Sequence, residues 1–584
     1  MSVLDQTVTE KKTKITKEIV LFGILGIITI VAGWLFLSTG FDATWGGDDS
    51  VVHLSMYNAT KDRSYLQCFF GYIGQALYQY VHPTEIYRYL PIAYWNDAVW
   101  KFASYSLTNY RIAVLFYTYL AIFLTAVFLG CMTKNRYMAL LCLALTPLLV
   151  NLYSSVEVNA LYTYQAMAQR SYIFWMIGML LLICHAKKKK IGFLIAAAFF
   201  TFLSCTVLEI GYVFIFPCFL IVLLLHEEWK QRILSFGSQC IGVILAFTGY
   251  CICASTQGMN TDTSARFQLS PIVETISKQM TASFSLPPVL LSGQELHFPD
   301  IRMQDVLLPL LLAGVVAIML YQNTKKEEAS QEKTSGILYC IAAFILVLPA
   351  GLISIAEKFQ ISNAITWTQG WMMSIVGTMG VGIFTAVLLS AIAGWIGRNA
   401  SQAWLRILLI ALLALSIGCT GVYSRAATNV SGDKHSRPRN DLLIEAVQSE
   451  ALSDVPDGSL IYCDYGIWGN SGPALAMFFD IYGDRSFEAS YYEGQEMEEG
   501  AYFSHYGYGE PITIFYVGKL GEEQGTIEDV RVWIKDLNKT VQKENLTYVN
   551  DGALHTIAIQ PVEGKEDLYL ADIPQMNFAD LFVE

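Results

Sequence analysis

The chain has 584 residues, 54% of them hydrophobic and only 15% charged, with a mean hydropathy of +0.41. It is too long and too apolar to be one soluble domain and reads as a polytopic α-helical membrane protein. The formal charge of -12 hides a division: from Ser431 onward 28 acidic residues stand against 10 basic ones, and before it 22 against 28. The acidic part reads as a separate domain outside the bilayer, with no character of a nucleic-acid binder.

Apolar runs long enough to cross about 30 Å of hydrocarbon as helix fall at about residues 18–38, 111–131, 136–152, 171–186, 191–208, 210–226, 236–254, 305–321, 336–355, 371–396 and 404–424, eleven in all. The two runs flanking Glu209 also read as a re-entrant segment or a broken pair. The first run is longer than a signal-peptide core and lacks a small-residue cleavage site after it, so it reads as a retained span. Lys11, Lys12, Lys14 and Lys17 precede it, which places the N-terminus in the cytoplasm. Lys134 and Arg136, the run Lys187 to Lys190, Lys230 and Arg232, Lys325, Lys326 and Lys333, and Arg398 and Arg406 then fall on the same side. The loops at about 39–110, 153–170, 255–304 and 356–370, and everything after Arg425, are expected outside a bacterial plasma membrane. No internal repeat of fixed period is present, which disfavours inverted-repeat transporters.

The division gives a membrane domain over residues 1–424, with its first outer loop at 39–110, and a soluble domain over 425–584. In the latter, strand-like runs at 459–465, 511–517, 546–549 and 554–559, with helical patterns at 441–452 and 527–543, predict a small α/β or α+β unit behind a linker at 425–440. The twelve cysteines include no Cys-x-x-Cys pair, so neither zinc nor dithiol chemistry is indicated. Cys68 and Cys463 both lie in outer segments, and the sequence does not decide whether they pair.

The residues with most chemical potential follow the first span. Asp48 and Asp49, in Trp45-Gly46-Gly47-Asp48-Asp49-Ser50, are suited to cap a short helix after a glycine turn. They are equally suited to general-base work, one carboxylate taking a proton from a sugar hydroxyl while the other orients it or holds a divalent metal. His53 shares a helical face with Asp49. The loop continues with many Tyr and Trp residues around Arg63 and Arg88. These make an aromatic belt at the headgroups, or a surface for sugar faces and phosphate, for which Arg offers a planar fork. Segments near 64–80 and 93–105 are amphipathic and are expected to lie along the membrane. Glu157 and Arg170 bound a second outer loop and are candidate partners, with snorkelling the alternative for Arg170. Glu209 stands in an apolar stretch and either faces the same cavity or breaks the helix pair. Lys358 neutralises a lipid phosphate or anchors the last outer loop. No P-loop, dinucleotide fingerprint or His-Glu-x-x-His is present.

The order of a cytoplasmic N-terminus, one span, and then an acid-bearing outer loop with interfacial helices resembles the GT-C fold membrane glycosyltransferases. These include protein mannosyltransferases, aminoarabinose transferases and the glucosyltransferases that decorate bacterial O-antigen. The likeness covers roughly residues 1–424 in layout, and the family acid is matched by Asp48 and Asp49. The resemblance implies transfer of a sugar from a polyprenyl-phosphate donor to a cell-surface glycan or lipid acceptor. Asp48 or Asp49 then serves as base, with Arg63, Arg88, Arg170 and Lys358 beside the departing phosphate and inversion at the anomeric carbon. The sequon-reading pattern of oligosaccharyltransferases is missing. A glycan or lipid transporter, in which outer carboxylates bind a coupling ion, and a glycan polymerase are the alternatives.

Overall fold

The computed structural model describes residues 3–39, 56–57, 59–83, 89–93, 98–153, 161, 164–257, 265–293, 295–324, 332–361, 365–368 and 370–431. Beyond them it describes strands between residues 460 and 577. The first part is helical: α1 Val3–Leu37, α2 Tyr65–Val81, α3 Ala98–Ala103, α4 Leu107–Thr133, α5 Arg136–Leu149, α6 Met167–Lys188, α7 Ile191–Val207, α8 Ile210–Val213, α9 Ile215–Leu225 and α10 Trp229–Gln257. There follow α11 Leu269–Ala282, α12 Leu286–Leu291, α13 Met303–Asn323, α14 Glu332–Ser354, α15 Glu357–Ile361, α16 Met373–Asn399 and α17 Ala403–Ser431.

Eight helices among the described residues are long and apolar enough to cross a membrane, and three shorter apolar stretches, Arg136–Leu149, Ile191–Val207 and Ile210–Leu225, lie between them. Every apolar run expected from the sequence is thus helical, although three fall short of a full crossing. The architecture is that of a helical membrane protein. Its peripheral helices show why: α1 exposes Ile24, Ile27 and Val31, α10 exposes Ile241, Ile244 and Phe247, and α17 exposes Ile407, Leu408 and Leu412. Water would not tolerate apolar flanks of that size, whereas lipid does. α4, α5, α6 and α16 form the centre, burying residues such as Leu115, Leu141, Trp175 and Val376. Helix backbones approach closely where a side chain is missing. A Cβ at Gly380 of α16 would stand 2.6 Å from the Ala342 carbonyl oxygen of α14.

Contacts between connections sort them onto two ends of the bundle. At one end Asn151 donates to the Thr368 carbonyl at 2.8 Å, Gln360 to the Arg266 carbonyl at 2.6 Å, and Thr378 to the Ser283 carbonyl at 2.9 Å. At the other, buried Asn135 donates to Asn323 at 3.1 Å, and the His185 and His226 rings lie 6.2 Å apart. The second group carries Lys134, Lys187 to Lys190 and Arg232, so it is called the basic end, and the first the loop-rich end.

Residues expected to begin a linker at 425 instead continue α17 to Ser431, with Arg425 to Ser431 buried. In the C-terminal part, a six-stranded sheet has the order β2-β1-β3-β4-β8-β7, and β5 pairs with β6. Here β1 is Leu460–Cys463, β2 Glu488–Ala489, β3 Ile512–Leu520, β4 Thr526–Asp536, β5 Asn545–Asn550, β6 Ala553–Ala558, β7 Gln560–Pro561 and β8 Leu568–Asn577. Neighbours are antiparallel except β1 and β2. Over residues 527–536 the helix expected at 527–543 is replaced by β4, and the remainder lies outside the described residues. Ile527, Val530 and Ile534 fit helical spacing, but Val530, Val532 and Ile534 alternate with Arg531, Trp533 and Lys535, and β-branched residues favour the strand. The helix expected at 441–452 lies outside the described residues. Cys68 is a free, buried thiol.

Candidate functional site at the loop-rich end

α2 begins with a capping box: the Ser64 hydroxyl accepts from the Gln67 amide at 3.3 Å, and the Gln67 side chain accepts from the Ser64 amide at 2.7 Å. One face of α2 is exposed through Tyr65, Leu66, Phe69, Phe70, Ile73, Leu77 and Tyr78, while Cys68 and Ala76 are buried. Among the described residues no protein covers this face, the arrangement expected of a helix lying along a membrane surface. Its C-terminal end is tied down by Tyr80, whose hydroxyl lies 2.9 Å from Thr206 Oγ1 at the end of α7. Burial pushes that phenol's pKa up, keeping it neutral.

The rest of the first long loop is held by cations and rings. Lys101 Nζ, buried, donates to the Thr60 carbonyl at 2.7 Å and to the Tyr105 hydroxyl at 3.1 Å. Tyr89 presses its ring on Gly249 of α10, where any Cβ would collide. Arg170 of α6 is 1% exposed. It donates to the Ile92 carbonyl at 3.2 Å and to the Ala93 carbonyl, and its guanidinium lies 5.6 Å from the Trp100 ring centre.

Just before α6 the backbone is unusual. Gln165 and Ala166 are consecutive left-handed residues, with φ of 49° and 53°, a conformation in which Cβ crowds the next carbonyl. The Gln165 amide donates to the Tyr110 hydroxyl at 3.1 Å, and its buried Oε1 accepts no hydrogen bond among the described residues. Strain of this kind gathers at functional sites.

A second group closes the same end. Asp305 of α13, wholly buried, accepts through Oδ1 from Arg425 Nε at 2.9 Å and from Asn429 Nδ2 at 2.7 Å, and through Oδ2 from the Arg302 amide at 3.2 Å. Arg425 also donates to the Leu35 carbonyl at 2.8 Å and to the Phe36 carbonyl. These belong to the last turn of α1, whose carbonyls have no helical partner.

Asp48, Asp49, His53, Arg88 and Glu157 lie outside the described residues. Arg63 is exposed ahead of α2. Arg170 is placed on the carbonyls of the first long loop. Glu209 is half-buried in the break between α7 and α8, as the residue preceding α8, with no side-chain capping bond. Lys358 is exposed on α15, its Nζ 5.1 Å from the Phe359 ring centre. The structure thus joins the loops at 89–100 and 164–170 through Arg170, and leaves Arg63, Glu209 and Lys358 on three separate elements.

Sequence reasoning passed over Lys101, Gln165, Asp305, Arg425 and Asn429. A signal existed for two of them: an acid near the start of the eighth apolar run and an arginine just past the eleventh are the ionisable residues that a membrane makes costly. Among the described residues no three His, Cys, Asp or Glu side chains converge as metal ligands. No protein family model matches the chain, and no curated protein matches it.

Proposed function

We propose that the protein is a membrane glycosyltransferase that moves a sugar from a polyprenyl-phosphate donor to a glycan or lipid acceptor at the loop-rich end. That end is taken as the extracytoplasmic face of a plasma membrane whose cytoplasmic face meets the basic end. Asp48 or Asp49 is the base in this reading. The observation that carries it is the sign of the buried charge. Among the described residues, the buried ionic side chains at the loop-rich end are Lys101, Arg111, Arg170 and Arg425 against the single acid Asp305. An excess of fixed cations in a low-dielectric setting favours a ligand that bears, and in the reaction develops, phosphate charge. α2, lying in the membrane surface, supplies the route for a lipid-borne donor. Connectivity also limits the acid pair: Asp48 is eight residues from Met56, which reaches no more than roughly 30 Å.

A transporter would be expected to carry its acids at mid-membrane on several helices; no buried Asp or Glu stands there among the described residues. The test is mass spectrometry of lipid that co-purifies with the protein, followed by transfer of labelled sugar from that lipid in vesicles. Recovery of a polyprenyl-phosphate sugar that is consumed on acceptor addition supports the reading. Movement of an intact lipid-linked glycan across the bilayer without bond cleavage would replace it with the transporter.

A further inference from the structure

Two turns meet at the basic end. α6 closes on Lys189, a left-handed residue with φ of 53°, whose amide donates to the His185 carbonyl at 2.7 Å. The His185 ring, through Nδ1, donates to the Lys190 carbonyl at 3.0 Å. These bonds turn the chain into α7 and leave Lys187, Lys188, Lys189 and Lys190 all exposed. The turn between α9 and α10 stands beside them, the His226 ring 6.2 Å from that of His185. It adds exposed Lys230 and half-buried Arg232. Arg232 is held through its Nε on the His226 carbonyl at 2.7 Å, which leaves the rest of its fork for a ligand. Six cations thus stand against two acids on these turns, Glu227 and Glu228. Among the described residues none of the six forms an ion pair; the pairs present are Arg266–Glu357, Lys278–Glu274 and Arg425–Asp305.

Apolar stripes begin at the same place. α7 exposes Ile191, Ile195 and Phe199 at four-residue spacing, and α10 exposes Trp229 and Ile233 at the same spacing. Each stripe starts beside the cations and runs away from them along its helix. The two helices are packed together: the Thr201 hydroxyl donates to Gln239 Oε1, and any Cβ at Gly242 would collide with the Ala198 carbonyl. A free phosphate would use the charge alone, whereas a ligand that uses both the charge and the stripes is an amphiphile. We propose that the α6–α7 and α9–α10 turns form a headgroup site for an anionic phospholipid, whose acyl chains lie along the exposed stripes of α7 and α10. Trp229, level with the cations, suits the boundary between headgroup and hydrocarbon. The site is at the opposite end of the bundle from the candidate functional site, so it stands apart from the transferase reading and holds whichever membrane face the basic end meets.

The experiment places the full-length protein in nanodiscs of phosphatidylcholine and phosphatidylglycerol in equal amounts and counts the lipids it retains by native mass spectrometry. Wild type should retain phosphatidylglycerol over phosphatidylcholine about twentyfold. Lys189→Gln, on a side chain that takes no part in the hydrogen bonds of the turn, should lower that preference about fivefold, and Lys189→Gln with Lys230→Gln should bring it close to parity. Lys134→Gln makes the same charge change on the α4–α5 turn of the same end and should leave the preference unaltered, which separates a site from the general positive charge there. Each variant alters an exposed side chain, and helical circular dichroism matching wild type checks that it folds. No preference in wild type, an unchanged preference in the double variant, or an equal fall in Lys134→Gln overturns the proposal.

Discussion

Arg170 and Trp100 face each other across the junction between α6 and the first long loop, the guanidinium 5.6 Å from the ring centre and both side chains buried. Arg170→Lys keeps the charge but cannot reach the Ile92 and Ala93 carbonyls together. The loss of two charge-assisted bonds should cost about 2 to 4 kcal/mol. It should also free the loop near residues 89–93, so limited proteolysis there should be faster than in wild type. Equal cleavage rates would show that Arg170 does not anchor the loop.

The acid pair separates base from cap. Changing the essential aspartate to Asn preserves size and capping ability but abolishes proton acceptance, so transfer should fall about a hundredfold or more while donor lipid still co-purifies. One of Asp48→Asn and Asp49→Asn should be severe, Asp49→Asn the more so on the sequence expectation that helical spacing sets His53 beside it. Full transfer by the double variant would remove the assignment of the base.

Sidedness has a direct readout in Phe298, which is 90% exposed at the loop-rich end, and in Lys188, exposed at the basic end. In a cysteine-depleted background, Phe298→Cys should react with an impermeant maleimide in intact cells, and Lys188→Cys only after permeabilisation. The reverse pattern would invert the membrane orientation and move the acid loop to the cytoplasm.

His226, at the turn between α9 and α10, accepts or donates across 2.9 Å to Ser235. Burial lowers its pKa below the ordinary 6.5, and Lys189, His185 and Arg232 lower it further against the opposing pull of Glu228. Below about pH 6.5 the unfolded chain takes up this proton before the folded one, so stability should decline as pH falls through that window and be complete above it. The melting temperature in detergent, followed from pH 7.5 to 5.5, should drop less steeply for His226→Asn than for wild type.

The C-terminal domain is expected to shape acceptor access and to hold no base. Because α17 runs to Ser431 and uses Asn429 in the buried clamp, a stop after about residue 440 should leave donor binding intact. A stop after about residue 420, which removes Arg425, should abolish it. Loss of donor binding in the longer, folded truncation would assign the domain a direct part in the site.

The apolar runs were legible because length and continuity alone define a membrane helix, and each lies on a helix here. The amphipathic face of α2 was legible for a similar reason, through apolar residues at every third or fourth place. What stayed hidden depends on distance along the chain. Nothing local links Asp305 to Arg425, 120 residues apart, and the strain at Gln165 and Ala166 comes from tertiary packing on residues with no special preference for left-handed backbone. β4 shows the other limit, since Ile527, Val530 and Ile534 fit the helical period while Val530, Val532 and Ile534 fit the strand period, and pairing with β3 and β8 decides between them.

α5 has 14 residues, a rise of about 21 Å set against a hydrocarbon layer of about 30 Å. Starting at Arg136 at the basic end, a helix of that length is too short to cross such a layer. After the Val150 amide, which donates to the Pro147 carbonyl at 3.2 Å, the chain goes on in non-helical form through Leu152 and Tyr153, both buried. Open backbone at that depth persists only inside protein or against trapped water. In the membrane orientation proposed above, this stretch is expected to lie below the headgroup level rather than on a platform above the leaflet. For the transferase proposed above, a carrier lipid's phosphate would then have to descend below its neighbours' headgroups, and the thickness of the host bilayer would become a variable of the chemistry.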